Sequence, residues 1–404
     1  MQFEQFAFVE LQTVTRLSYL GFGVWYKAPP TGRQGVRKMY DAIVVGARCA
    51  GSPTAMLLAR SGHRVLLVDR ANFPSDTLST HFMTPDGVKL LGEWGLLDRV
   101  LATGCPQLHG TRRTLQGMAL PADPSDPLTI APRRTVLDKI LVDAAREAGA
   151  EVREGTSAAA LIVEDGVVQG IRAHTGDQAC EERARVVIGA DGRQSFVARQ
   201  VGAAEYNVVQ GTTAGYYAYF ADMAHGSYAE LYLGGGQAMF VFPTNDGEAC
   251  LGVEFQAGRF KEFRADIEGN MQAAFATVPT LGERTANARR TSRIMGLSPH
   301  ESFYRKPFGP GWALVGDAGY YRDPLLGQGI NDALRDAGAI AGALHEVFTG
   351  GRQWGPAMEA YEQQRNAATG MLYNLTALLC KDLDPTPEVL QMLAAGPPAT
   401  APAG

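Results

Sequence analysis

Residues 40–70 constrain this 404-residue chain more than any other stretch. Residues 43–45 are a short apolar run of the kind a parallel sheet buries on both faces. Gly46 follows, where the backbone can turn sharply, and Gly51 comes five residues on, where a helix must pack close to a strand. From Ser52 the pattern is helical, with Met56, Leu57 and Leu58 on the apolar face, and residues 65–68 read as a second strand ending at Asp69. Strand, glycine turn, helix, strand and terminal carboxylate make a dinucleotide-binding βαβ unit. Its helix N-terminus takes a pyrophosphate and its carboxylate takes the adenosine ribose hydroxyls. One position departs from G-x-G-x-x-G. Arg48 replaces the middle glycine, giving up close backbone approach but offering a guanidinium to phosphate.

Composition narrows the partners. Hydrophobic residues at 46% and charged residues at 20% are ordinary for a globular protein with real cores. A net charge of −5 gives no reason to expect nucleic acid or an anionic membrane surface. No apolar run approaches the ~20 residues of a membrane span. The cysteines at 49, 105, 180, 250 and 380 are odd in number and never in C-x-x-C spacing. They read as free thiols in a reducing, cytoplasmic compartment, with no metal site.

Along the chain, residues 1–38 lack a periodic apolar face and read as a disordered extension, and 394–404 as a disordered tail. A helix is expected over 86–100 and an amphipathic helix over 132–149, with a strand at 150–153 and a hairpin over 162–174. A buried strand leads into Asp191 and Gly192, and another into Gly316 and Asp317. Gly327, Gly329, Ile330 and Asn331 then open a helix. Between these, residues 206–300 contain short alternating strands and a helix near 266–278, which reads as an antiparallel sheet inserted into the nucleotide domain. The expected organisation is therefore a first part of the nucleotide domain over 39–205, a substrate sheet over 206–300, a second part over 301–350 and a helical region over 351–393.

The Gly46 turn, the Asp191 stretch and the Gly316 stretch occur in this order at suitable separations. Together they resemble the signature of flavin-dependent monooxygenases of the para-hydroxybenzoate hydroxylase type, relatives of geranylgeranyl reductases and flavin halogenases. The resemblance implies an α/β fold: a Rossmann-type, glutathione-reductase-like FAD-binding domain with an inserted antiparallel substrate sheet. It implies FAD held non-covalently, with NADPH or NADH as a transient reductant and molecular oxygen as co-substrate. Gly46, Arg48 and Gly51 would meet the pyrophosphate, Asp69 and Arg70 the adenosine end, and Arg134, Asp191, Gly316 and Asp317 other parts of the cofactor. The helix opening at residues 327–331 would set its positive end against the anionic locus of reduced flavin.

Tyr217, Tyr232, Phe240 and Phe242 would line a pocket for a small or medium apolar, aromatic substrate, and His81 would exchange protons there. The implied reaction is hydroxylation or epoxidation in specialised metabolism. The halogenase pattern W-x-W-x-I-P is missing, because Trp25, Trp94, Trp312 and Trp354 are never two apart. The stretch from Phe240 to Pro243 resembles one in geranylgeranyl reductases and keeps a reductase or dehydrogenase reading open.

Overall fold

The computed structural model describes residues 39–389 except Pro124 and Glu388. The extension over 1–38 and the tail over 394–404 lie outside the described residues. Tyr40–Val45 and Val65–Val68 are rich in β-branched and aliphatic residues and form adjacent parallel strands, with Val45 opposite Val68. Tyr40–Val45 also pairs with the far end of Gln178–Gly189, and that strand in turn pairs with Trp312–Leu314. Glu151–Arg153 closes the other side. This parallel sheet is therefore assembled from pieces drawn from most of the chain's length.

Alternate residues of the strands serve opposite faces. Ala42, Val44 and Leu67 pack against helices Gly51–Arg60, Arg134–Glu147 and Gly329–Thr349 through Met56, Leu141 and Ile340. Ile43, Val45 and Leu66 face the other way, onto Leu161, Ile171 and Val197.

A second sheet orders Thr213–Ala221, Ala249–Gln256, Gln237–Pro243 and Ala229–Gly234 as antiparallel neighbours. One face is covered by helices Phe260–Ala265, Ile267–Ala276 and Pro279–Ala286, with Phe255, Phe263 and Phe275 at its centre. The opposite face presents Tyr217, Tyr219, Phe242 and Cys250 towards Phe82, Leu108 and Ala131. The architecture is the expected one: a Rossmann-type nucleotide domain with a substrate sheet.

Local expectations need correction in three places. The helix foreseen over 86–100 is two helices, Pro85–Glu93 and Leu97–Leu101, because Gly95 between them adopts φ 74°. The hairpin foreseen over 162–174 starts earlier, as Thr156–Glu164 and Val167–Thr175. The second sheet is not confined to 206–300: Thr111–Leu115 joins it, parallel to Ala229–Gly234, and Met118–Leu120 follows.

Candidate functional site

The two sheets flank a cavity of about 880 Å³ that runs from the Gly46 turn to the second sheet. At the turn the chain is packed so closely that two glycines are obligatory. Gly46 has φ 104°, and a Cβ there would lie 2.4 Å from the Ala190 carbonyl oxygen. A Cβ on Gly51 would lie 1.7 Å from the Gly46 oxygen. Gly51 itself is not part of the cavity wall; it brings the helix N-terminus up to the turn. Asp69 stands on the wall with its carboxylate already oriented, Oδ2 accepting the Ala47 N–H (2.7 Å) and Oδ1 the Ala71 N–H (2.8 Å). Each oxygen keeps a lone pair for a ribose hydroxyl. Arg70 lines the cavity beside it.

Arg48 also lines the cavity, but its guanidinium is held by protein groups. Nη1 donates to Asp138 Oδ2 (2.6 Å) and the Ser75 carbonyl (3.2 Å), and Nη2 to Ser75 Oγ (3.1 Å) and the Asp76 carbonyl (3.3 Å). Asp138 is fully buried and receives Arg134 as well, through Nε (3.0 Å) and Nη2 (2.9 Å). The Asp138 carboxylate thus clamps two arginines on the cavity wall and ties the loop at Ser75 to the helix Arg134–Glu147. Sequence reading missed Asp138. Its four-residue spacing from Arg134 on a helix was the available signal.

Asp317 lines the cavity after its buried strand, while Gly316 lies behind the wall with φ 59°. Burial and the neighbouring Asp332 carboxylate push Asp317 up to about 6, with Arg134 and Arg193 opposing. Asp191 is on the wall too, but its carboxylate caps the helix Phe196–Val201 by accepting the Phe196 N–H (2.6 Å) and the Ser195 hydroxyl. Gly327, Gly329 and Ile330 reach the cavity at the N-terminus of the helix Gly329–Thr349. Asn331 does not; its Oδ1 accepts the Thr84 N–H (3.0 Å) and fixes the loop before Pro85. Nearby, Tyr320 Oη and Arg322 Nη1 are buried on the wall without partners. Turn, carboxylates, helix N-terminus and unsatisfied donors fit an elongated dinucleotide such as FAD.

At the sheet end, Tyr217 and Phe240 line the cavity, and the Tyr217 hydroxyl accepts the Ser79 N–H (2.9 Å). Phe242 is behind them, stacked between Phe82 and Phe240 with ring centroids 4.7 Å apart on each side. Tyr232 is a correction. It pairs with Met239, whereas its neighbour Leu231 pairs with Phe240, so Tyr232 points to the helix-covered face and donates to Glu230. His81 is fully buried with φ 66°, and its Nε2 is bonded to the Tyr219 hydroxyl. Burial, then Arg134 and Arg133, hold the ring well below the usual histidine range, so it is neutral. It lies beneath the wall rather than on it.

These features define a FAD-binding oxidoreductase. The chain belongs to the family described as FAD binding domain, which matches residues 39–374. It is 30% identical over 352 residues to the digeranylgeranylglycerophospholipid reductase of Methanosarcina acetivorans, covering 83% of this chain and 82% of that protein. The 6-methylpretetramide 4-monooxygenase of Streptomyces rimosus is 26% identical over 318 residues, 76% of this chain and 75% of that one. Among solved structures, a myxobacterial chondrochloren halogenase matches 89% of this chain and 90% of its own with TM-score 0.78 and 21% identity. PqsL, a probable FAD-dependent monooxygenase from Pseudomonas aeruginosa, matches 88% of this chain and 100% of its own with TM-score 0.74 and 22% identity. At these identities the two structures speak for the fold.

Proposed function

We propose that the chain is a FAD-dependent, NAD(P)H-using monooxygenase acting on a small to medium apolar, aromatic-sized molecule. The observation that carries this reading is that Tyr217 and Phe240 line the same cavity as the nucleotide turn at Gly46 and the N-terminus of the helix Gly329–Thr349. Bound FAD supplies the redox chemistry, including the activation of oxygen. The protein's part is placement. Asp69 would hold the adenosine end and Asp317 the sugar-like chain, and the helix N-terminus would favour negative charge at the ring. The aromatic wall excludes water from the reacting centre. A shallower concavity of about 440 Å³ is lined by Arg193, Arg199, Glu205, Glu301 and an Arg305 paired with Glu205; it shares Arg193 and Arg199 with the main cavity, and these two arginines suit the phosphates of a transiently bound nicotinamide nucleotide.

A reductase reading has specific support in the 30% identity to the archaeal lipid reductase and in the position of Phe240 on the cavity wall. The two separate cleanly. With FAD, NADPH and a panel of aromatic compounds, a monooxygenase takes up oxygen in step with product. Turnover of an alkene under anaerobic conditions without oxygenated product overturns the monooxygenase reading in favour of the reductase.

A further inference from the structure

The aromatic end of the cavity contains one polar feature that the reading above leaves without a role. Glu254 lies on Ala249–Gln256 opposite Gly215 and Ala238, on the same face of the sheet as Tyr217 and Phe240. Glu254 and Asp323 both line the cavity, and a carboxylate oxygen of each lies within 4.8 Å of the other and of the Cys380 sulfur.

The two acids are not equivalent. Asp323 Oδ1 accepts the Leu325 N–H (3.0 Å) and Oδ2 accepts the Thr213 hydroxyl (2.7 Å), so both of its oxygens have donors. Glu254 Oε1, by contrast, is sealed from solvent and has no hydrogen-bond donor. Asp332 and Asp336 in the same region are paired with Arg322 and Arg335. Neither Glu254 nor Asp323 has an ion-pair partner among the described residues. Two adjacent carboxylates without a cation cannot both ionise cheaply. A proton on Glu254 removes the repulsion between the two carboxylates.

The surroundings reinforce this. Burial and Asp323 push Glu254 well above the ordinary carboxylate range. Burial and Asp323 likewise raise the Cys380 thiol and the Tyr321 phenol, and burial with Arg193 lowers His300, so each of these neighbours is neutral at pH 7.

We propose that Glu254 and Asp323 hold one proton between them and form the polar end of the substrate site, taking the hydroxyl of a neutral substrate and rejecting a carboxylate. A neutral carboxyl group both donates to and accepts from a hydroxyl. A substrate carboxylate would instead stand against the one negative charge that a pair sharing a single proton keeps. The recognition half of this inference rests on the cavity end being the substrate site; the shared proton does not.

Infrared spectroscopy of the purified FAD-loaded protein tests the proton directly. A carbonyl band of a protonated carboxyl group at pH 7 in the wild type, lost in Glu254→Gln, is the expected result. No difference between the two overturns the shared proton, as does a stoichiometric divalent cation found by elemental analysis. The recognition half is tested with phenol and benzoate, whose binding is followed by perturbation of flavin absorbance. Phenol is expected to bind at least about tenfold more tightly, a preference of ~1.4 kcal/mol that Glu254→Ala abolishes. Benzoate binding as tightly as phenol overturns the recognition half. A protonated carboxyl group with binding of neither probe shows that the substrate lies elsewhere and refutes the cavity reading while leaving the proton in place.

Discussion

Replacing Asp138 by Asn probes the clamp beneath the nucleotide turn. The substitution keeps the volume but removes the charge that holds Arg134 and Arg48. The Arg134 side chain is 10% exposed, so water cannot replace its partner, and breaking a buried pair in this way costs about 3–5 kcal/mol. The Arg48 side chain is 26% exposed and can rehydrate, which adds no more than ~1 kcal/mol. A domain of this size loses roughly 2 °C of Tm per kcal/mol, so a drop on the order of 6–10 °C is expected. Arg48→Ala leaves the buried pair intact and is expected to lower Tm by about 2 °C. Thermal unfolding of the FAD-free proteins, followed by tryptophan fluorescence, measures both. If Asp138→Asn melts within about 2 °C of the wild type, or if Arg48→Ala is equally damaging, the clamp is not the support described.

Asp317→Ala is expected to lower FAD occupancy by removing an acceptor worth ~1.5–3 kcal/mol, measured as flavin retained after gel filtration. Because its carboxyl is raised to about 6, FAD affinity should weaken as pH falls through that value. The FAD-free protein should lose stability as pH rises from the ordinary carboxylate range through about 6, with the contribution fully present below that range. Gly51→Ala, whose Cβ would sit 1.7 Å from a backbone oxygen, should abolish flavin binding, whereas Gly329→Ala, with nothing within 4 Å, should retain it. Both are read from the absorbance of the purified protein. Tyr219→Phe leaves both nitrogens of buried His81 unpartnered and should cost about 1–3 kcal/mol in urea unfolding, with unchanged flavin content. The depressed His81 makes the folded state less stable as pH falls below the ordinary histidine range, where the unfolded chain takes up a proton that the core refuses.

The parts of the site legible in the sequence are those built within one short segment. Gly46, Asp69, Asp317 and the helix opening at Gly329 each depend on a turn or terminus whose residues are neighbours in the chain, and all four line the cavity. Pairing across strands was not legible. Alternation along Ala229–Gly234 shows that Leu231 and Tyr232 face opposite ways, but only the register with Gln237–Pro243 decides which of them shares a face with Phe240. Contacts between distant segments were hidden for the same reason. Arg48 meets Asp138 across 90 residues, and Thr213 meets Asp323 across 110. His81 shows a further limit: its loop position suggested a proton carrier at the substrate, and it is buried against Tyr219, 138 residues away.

The parallel sheet has a consequence for the birth of the molecule. Its strand Gln178–Gly189 lies between Tyr40–Val45 and Trp312–Leu314, so one of its edges stays open until the ribosome has released residues beyond 314. The second sheet has all its strands by residue 297 and can close first. During synthesis the nascent chain therefore carries an unpaired apolar strand edge for the time needed to add about a hundred residues, several seconds at ~5–20 residues per second. Such an edge invites association with other chains. Since the cavity wall at Asp317 and at the start of the helix Gly329–Thr349 is made only after this interval, the nucleotide cavity is incomplete throughout it, and chaperone supply rather than flavin supply should limit the yield of soluble protein.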